Sequence, residues 1–283
     1  MATDNKKTLI LEGGGMRGLY SAGILDVLMK NEVKVDVIYG VSAGALFGLN
    51  YKSHQIGRVL RYNLKYAKNK NYMGLYSLIT TGNIMNKDFC FNKLVYELDP
   101  LDFETYKTSP VEFYAVVTNI KTGKPEYIKI DDAKKDMEYF RASGSMPFVS
   151  KPVKIDGNLY LDGGMSDSVP LKRALETGAQ KIIVVLTRPL GYRKKKSYVP
   201  YNLFYKDFPN FVETANNRYK TYNETMDLIE KYEAEKKIIV LRPSKLMKIK
   251  RVEKDTNKLQ AMYDLGVSDC MNRLDEIKEY LKR

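Results

Sequence analysis

The sequence predicts an α/β fold, a mostly parallel sheet covered by helices, with a sharp strand-to-helix elbow. Three observations predict it. The first 50 residues alternate short apolar runs, glycine-rich turns and helical spacing, which is the order of βαβ units. Two later runs, "EFYAVVTNI" (112–120) and "KIIVVLT" (181–187), have the length and β-branched content of buried strands. Finally, 44% of the 283 residues are hydrophobic, enough to fill a sizeable core.

Each element follows in order. "KTLILE" (7–12) reads as the first strand, and "GGG" (13–15) breaks it. From Arg17 to Lys30, the residues Leu19, Ala22, Ile24, Leu25, Leu28 and Met29 recur at helical spacing. "VKVDVIYG" (33–40) reads as the second strand, and a short apolar helix opens at Ala43. Residues 51–110 read as helix and loop. "PEYIKI" (125–130) is strand-like and follows 112–120 across the turn "KTGK". "DAKKDMEYFRASGS" is a helix ending near Gly144. "KPVKI" and "NLYLD" flank Asp156-Gly157, the strongest short hairpin signal in the chain. "VPLKRALETG" is a helix closing at Gly178, and "KIIVVLT" is the buried strand after it. Beyond Arg188 a basic, tyrosine-rich stretch leads to a long polar helix near 208–236, a strand "KIIVLRP" and a C-terminal helix from about 255. Residues 1–190 are therefore expected to form the core, and 191–283 an α-rich extension packed on it.

Charge narrows the partners. Lys and Arg number 47 against 34 Asp and Glu, a net +13, densest in "RKKK" (193–196) and "RPSKLMKIKRVEK" (242–254). No zinc finger, RNP-like aromatic motif or basic heptad array accompanies this charge, so nucleic acid is not the expected partner. The alternatives are solvated faces or peripheral contact with an anionic membrane, aided by the tyrosines and phenylalanines between 198 and 211. The longest apolar runs fall far short of a membrane span. The "LIL" near the N-terminus is too short for a signal peptide. Cys90 and Cys270 are far apart, and neither CxxC nor HExxH occurs. The expectation is a cytoplasmic chain without disulfide, metal or cofactor, with peripheral contact at the inner membrane surface as the alternative to solvated basic faces.

Three motifs carry chemistry. "YGVSAGALFG" sets Ser42 between Gly40 and Gly44, after a strand and before a helix. That is where a tight elbow lifts a serine hydroxyl out of the fold, and the helix N-terminus there favours negative charge. An ordinary serine N-cap in a glycine turn is the alternative. "GGGMRG" (13–18) lies between strand and helix, so its N–H groups can converge as an oxyanion hole. The same letters fit the dinucleotide fingerprint, with Asp36 about 18 residues past Gly18. Against that, the second strand runs straight into the serine elbow, and Asp36 is read inside that strand rather than at its C-terminal end. Arg17, a cation in the first turn of a helix, points to an anion nearby. "YLDGGMSDSVP" (160–170) ends a strand at Asp162 and turns on Gly163 and Gly164. Alone it is an ordinary Asp-Gly turn; beside the other two motifs, Asp162 is the leading candidate base.

Together, in this order, "GGGMRG", "GVSAG" and "DGG" resemble the patatin-like phospholipase family, as does the stretch 142–170. The resemblance covers roughly residues 8–186. One departure is Glu12, where many members carry aspartate. The resemblance implies a three-layer α/β/α patatin-like fold and hydrolysis of carboxyl esters of lipids, phospholipid or lysophospholipid, by a Ser42-Asp162 dyad. Gly14, Gly15 and Met16 would supply the oxyanion hole, with Gly13, Arg17, Gly18, Gly40, Gly44, Gly163 and Gly164 as the supporting motif residues.

The histidine count agrees with a dyad. The single histidine, His54, lies 12 residues past Ser42, about 18 Å along a continuous helix. A Ser-His-Asp triad needs an imidazole within hydrogen-bond reach. Two other function classes stay open at this point: a dinucleotide-binding protein, and a basic lipid-binding protein without activity. Asp167 is the nearest alternative carboxylate to Asp162.

Overall fold

A computed structural model describes residues 6–282. An eight-stranded sheet has the order β5-β6-β3-β2-β1-β7-β8, with β4 paired to β3. The strands are β1 (Lys7–Leu11), β2 (Val37–Val41), β3 (Glu112–Asn119), β4 (Pro125–Lys129), β5 (Val153–Ile155), β6 (Asn158–Asp162), β7 (Lys181–Val185) and β8 (Ile238–Leu241). The pairs β1/β2, β1/β7, β2/β3 and β7/β8 are parallel. Pairs made by β4, β5 and β6 are antiparallel.

The parallel strands β1, β2, β7 and β8 are buried on both faces, and their side chains alternate between two cores. Leu9, Leu11, Ile183, Val185, Ile239 and Leu241 enter one; Ile10, Ile182, Val184, Ile238 and Val240 enter the other. This period of two is what a pleated strand between two helical layers requires. The first layer holds α1 (Leu19–Lys30), α2 (Ala43–Lys52) and α3 (Arg58–Tyr66). The second holds α7 (Leu171–Glu176) and α9 (Pro209–Ala234). Between them in sequence come α4 (Leu75–Thr81), a wide π-type helix over Phe89–Leu98, α5 (Phe103–Thr108), α6 (Met137–Ser143) and α8 (Tyr201–Phe204). α10 (Thr256–Met271) and α11 (Leu274–Lys282) close the chain and pack in the first layer. The region past 190 thus supplies β8 of the central sheet as well as helices on both faces.

One boundary differs from the sequence reading. The second strand starts at Val37, so Asp36 lies outside it. The Val33 N–H is spent on the Leu28 carbonyl at the end of α1 (2.9 Å), and residues 33–36 form the turn into the sheet. The Asp36 carboxylate accepts from the Lys7 N–H at 2.7 Å. It therefore sits at the N-terminal ends of the central strands.

Strand register brings distant residues together. Val117 and Thr118 pair with β4 on one edge of β3 and with β6 on the other. On that second edge β2 runs as far as Val41, opposite Val116, and β6 takes over with Asp162 opposite Val117. The end of β6 and the end of β2 are thereby adjacent, 120 residues apart in sequence. Both lie at the carboxyl end of the parallel strands, where open α/β sheets bind ligands.

Candidate active site

Ser42 stands between β2 and α2 with φ 55° and ψ −122°. A β-carbon in that conformation is strained by roughly 1–3 kcal/mol, and the surroundings hold it there. The Ser42 N–H donates to Ser143 Oγ (2.9 Å), which in turn donates to the Val116 carbonyl (2.7 Å). The Ser42 side chain makes no capping bond to α2, so the N-cap alternative fails. Gly44 is needed for close approach: a β-carbon there would lie 2.3 Å from the Leu11 carbonyl oxygen. Gly40 packs against Ala45, where a β-carbon would lie 2.6 Å away, and Gly18 against Ala43 and Phe47, both at 2.9 Å.

Ser42 Oγ donates to Asp162 Oδ2 at 2.7 Å. The other carboxylate oxygen accepts from the Gly164 N–H at 2.8 Å, and Thr118 Oγ1 holds the Asp162 carbonyl at 2.9 Å. Gly163 lies against the Val116 carbonyl. Asp162 is only 5% exposed. Burial pushes its proton affinity above that of an ordinary carboxylate, while the bonds from Ser42 and Gly164 and the charges of Arg218 and Arg251 pull the other way.

The glycine loop faces the same point. Gly13 lies against Ser42, and Gly14 against Thr187. Glu12 anchors the loop from below: its carboxylate accepts from the Thr187 N–H (2.6 Å) and from the Tyr222 hydroxyl of α9 (2.9 Å). Among the described residues the N–H groups of Gly14 and Gly15 have no backbone acceptor. The third expected donor is corrected. The Met16 N–H donates to the Arg251 carbonyl at 3.0 Å, so it is not free for an oxyanion in this arrangement. Gly15, at φ +58°, lets that carbonyl approach; a β-carbon there would lie 2.5 Å from it.

Ser42 opens on two cavities. One is lined by apolar side chains that include Leu46, Phe47, Met73, Phe91, Leu94 and Val95. The other is bordered by Glu12, Asp162 and five cations: Arg17, Arg188, Lys194, Arg218 and Arg251. Of these the sequence had singled out Arg17 individually, and Lys194 and Arg251 only as members of the basic runs 193–196 and 242–254. Arg218 donates to the Gly164 carbonyl, beside Asp162. A signal for it existed. Phe211, Ala215, Tyr222, Met226 and Ile229 form the buried stripe of α9, and Arg218 falls on that stripe at helical spacing. A cation at a core-facing position calls for a reason. Lys194, Arg188 and Arg251 lie on irregular segments and left no such trace.

Other candidates are placed elsewhere. His54 is exposed just past the far end of α2, away from Ser42. Asp167 accepts from the Tyr127 hydroxyl at 2.8 Å rather than from Ser42. With Asp36 at the opposite ends of the strands, the dinucleotide reading loses its ribose-binding carboxylate. The basic run 193–196 is also less free than its letters suggest. Arg193 pairs with Asp227 and Glu230, and Lys194 turns into the cavity, donating to Ser168 Oγ at 3.0 Å. No helix among the described residues is long and apolar enough to cross a membrane.

With this geometry in hand, the chain compares with known proteins as follows. A family model described as patatin-like phospholipase matches residues 9–175, and a second, described as a domain of unknown function (DUF6363), matches 208–282. An uncharacterized Escherichia coli K12 protein, YjjU, is 29% identical over 186 residues, covering 64% of this chain and 52% of that one. Lysophospholipase NTE1 of Scheffersomyces stipitis is 27% identical over 182 residues, covering 62% of this chain and 11% of that one. The alignments thus span about half of the first relative and a small part of the second. Among solved structures, VipD from Legionella pneumophila aligns with 96% of this chain and 67% of its own, at TM-score 0.48 and 13% identity.

Proposed function

This chain belongs to the patatin-like phospholipase family, and from that membership we propose that it hydrolyses carboxyl esters of lipids, with Ser42 as nucleophile and Asp162 as base. The observation that carries the reading is the 2.7 Å bond from Ser42 Oγ to a buried carboxylate, at a strained elbow between two cavities. Asp162 takes the serine proton as Oγ attacks the acyl carbonyl. The tetrahedral oxyanion is met by the N–H groups of Gly14 and Gly15. Collapse breaks the ester C–O bond, and the proton on Asp162 passes to the leaving alcohol. Water then attacks the acyl-serine; Asp162 receives its proton and returns it to Ser42, releasing the fatty acid. Burial helps here, because a carboxylate of ordinary pKa, near 3.9, is a weak base.

The apolar cavity is lined for an acyl chain. Beside the polar cavity, α8 and the segment before it expose Tyr198 (88%), Leu203 (70%) and Phe204 (67%). Phe204 packs on Phe148, which borders that cavity. With Lys195 and Lys196 exposed nearby, this rim suits an anionic lipid surface from which substrate enters. Co-sedimentation with anionic and neutral vesicles at low salt tests the rim, and equal binding to both contradicts it. The hydrolase reading is tested by a fluorophosphonate probe followed by peptide mapping. Modification at Ser42 is expected; modification at another serine only, or none, contradicts it.

A further inference from the structure

We propose that the polar cavity is a binding site for a phosphate-bearing, net-anionic headgroup, that four of its five cations come from the C-terminal region, and that it adjoins Ser42. This assignment rests on the hydrolase reading above and adds the substrate class.

The charge count is uneven. Five cationic side chains border the cavity against two carboxylates. Both carboxylates are committed: Glu12 to Thr187 and Tyr222, Asp162 to Ser42 and Gly164. Among the described residues, none of the five cations forms an ion pair. By contrast Arg193 and Arg242, outside the cavity, are both paired with carboxylates.

Arg17 carries the argument furthest. It is 9% exposed, it borders the cavity, and its Nε is buried without a hydrogen-bond partner. A charged donor left unmet in this way carries an uncompensated desolvation cost. Burial, then the neighbouring charges of Arg188 and Arg251, lower its pKa to about 10. Lys194 is driven the same way, by burial and then Arg218. Such mutual repulsion is relieved by an anion that accepts from several of these groups at once, as a phosphate's oxygens do. The remaining cations are held but not neutralised: Arg188 lies 4.5 Å over the Tyr192 ring and Lys194 3.6 Å over Tyr222.

Position decides between a headgroup and an unrelated anion site. Gly15, Ser42, Met146 and Arg251 border both cavities. A lipid whose ester carbonyl lies at Ser42 has two directions to extend, one apolar and one cationic. An acyl chain fills the first and a glycerol phosphate the second.

Two measurements test this. Calorimetry with inorganic phosphate reads the site without turnover. Kinetics compare lauroyl glycerol phosphate, lauroyl glycerophosphocholine and lauroyl glycerol, all below their aggregation concentrations. The expected order of kcat/KM is anionic, zwitterionic, neutral, with about tenfold or more between the ends, and phosphate should compete. Arg188→Gln and Arg251→Gln, at the less buried side of the cavity, should each compress that ratio, with circular dichroism as the folding control. A flat series, or a ratio unmoved by both substitutions, overturns the proposal. Phosphate binding without competition and with a flat series also overturns it, and marks a site for free anion instead. Failure of all three esters to react, with Ser42 unlabelled, counts against the hydrolase reading, and the calorimetry still reports on the anion site.

Discussion

The two cavities that meet at Ser42 are opposite in lining. Their origins differ as well. The apolar one is built almost wholly from residues before 147, with only Arg251 and Val252 added from beyond. The cationic one draws four of its five charges from residues past 187, and only Arg17 from the part that matches the patatin-like model. On the proposed function, the difference separates two tasks. Residues 9–175 would hold the reacting groups and the room for an acyl chain, which any lipid ester requires, and the cations of the C-terminal region would meet the other side of the ester. Arg218 joins the tasks, since it borders the cationic cavity and also holds the loop that carries Asp162.

The largest effect expected from this contrast is on acyl length. Each methylene buried in the apolar cavity contributes about 0.8 kcal/mol, or roughly fourfold in kcat/KM. A series of p-nitrophenyl esters from acetate upward should climb by that factor until the cavity fills, with little dependence on salt. A flat series would mean that the cavity does not receive the chain.

Next is the wall between the cavities. Gly15→Ala places a β-carbon against the Arg251 carbonyl in a backbone conformation that costs an L-residue about 1–2 kcal/mol. Turnover of a short ester is expected to fall by about tenfold or more, through displacement of the 251 segment and the oxyanion loop. Unchanged kcat in a folded protein would show that the loop adapts.

Smaller still is the effect of Arg218 on the base. Its charge favours the ionised form of Asp162. In Arg218→Gln, Asp162 should hold its proton to higher pH, so the acidic limb of the kcat/KM profile moves upward and activity near pH 6 drops. A limb that stays in place, or moves down, would remove Arg218 from this role.

How far the sequence revealed this molecule follows the same division. The strands, the hairpin at Asp156-Gly157 and the elbow were legible because period-two burial and glycine turns are local signals. Ser42, Asp162 and the glycine loop were legible because each sits on such a turn. The Asp36 boundary was not, since Val33 and Val35 are buried like strand residues while their segment serves as a turn. The fate of the Met16 N–H was illegible for a different reason: its acceptor lies 235 residues away, on a segment without regular structure. The cations of the polar cavity shared that obscurity. In the sequence they looked like part of a general lysine and arginine excess, and only folding separates Arg193, which is paired, from Lys194, which is not.

The smallest expected effect is on stability. The folded-state pKa of Asp162 is raised by burial. A carboxyl of this kind contributes fully below its unfolded pKa, and the contribution is lost as pH rises through the folded value. Asp162→Asn should therefore melt slightly higher than the parent at neutral pH and no higher at pH 3. A lower melting temperature at neutral pH would show that the ionised carboxylate stabilises the fold.

The account turns on Asp162 accepting the proton of Ser42 without help from His54. The most direct measurement is steady-state hydrolysis of a short activated ester by Ser42→Ala, Asp162→Asn and His54→Ala, with circular dichroism on each. Asparagine keeps the shape of aspartate but cannot act as the base. The first two variants should lose about 10⁴-fold in kcat while remaining folded, and His54→Ala should turn over at the parental rate. Parental turnover in Asp162→Asn, or loss of activity in a well-folded His54→Ala, would contradict the dyad.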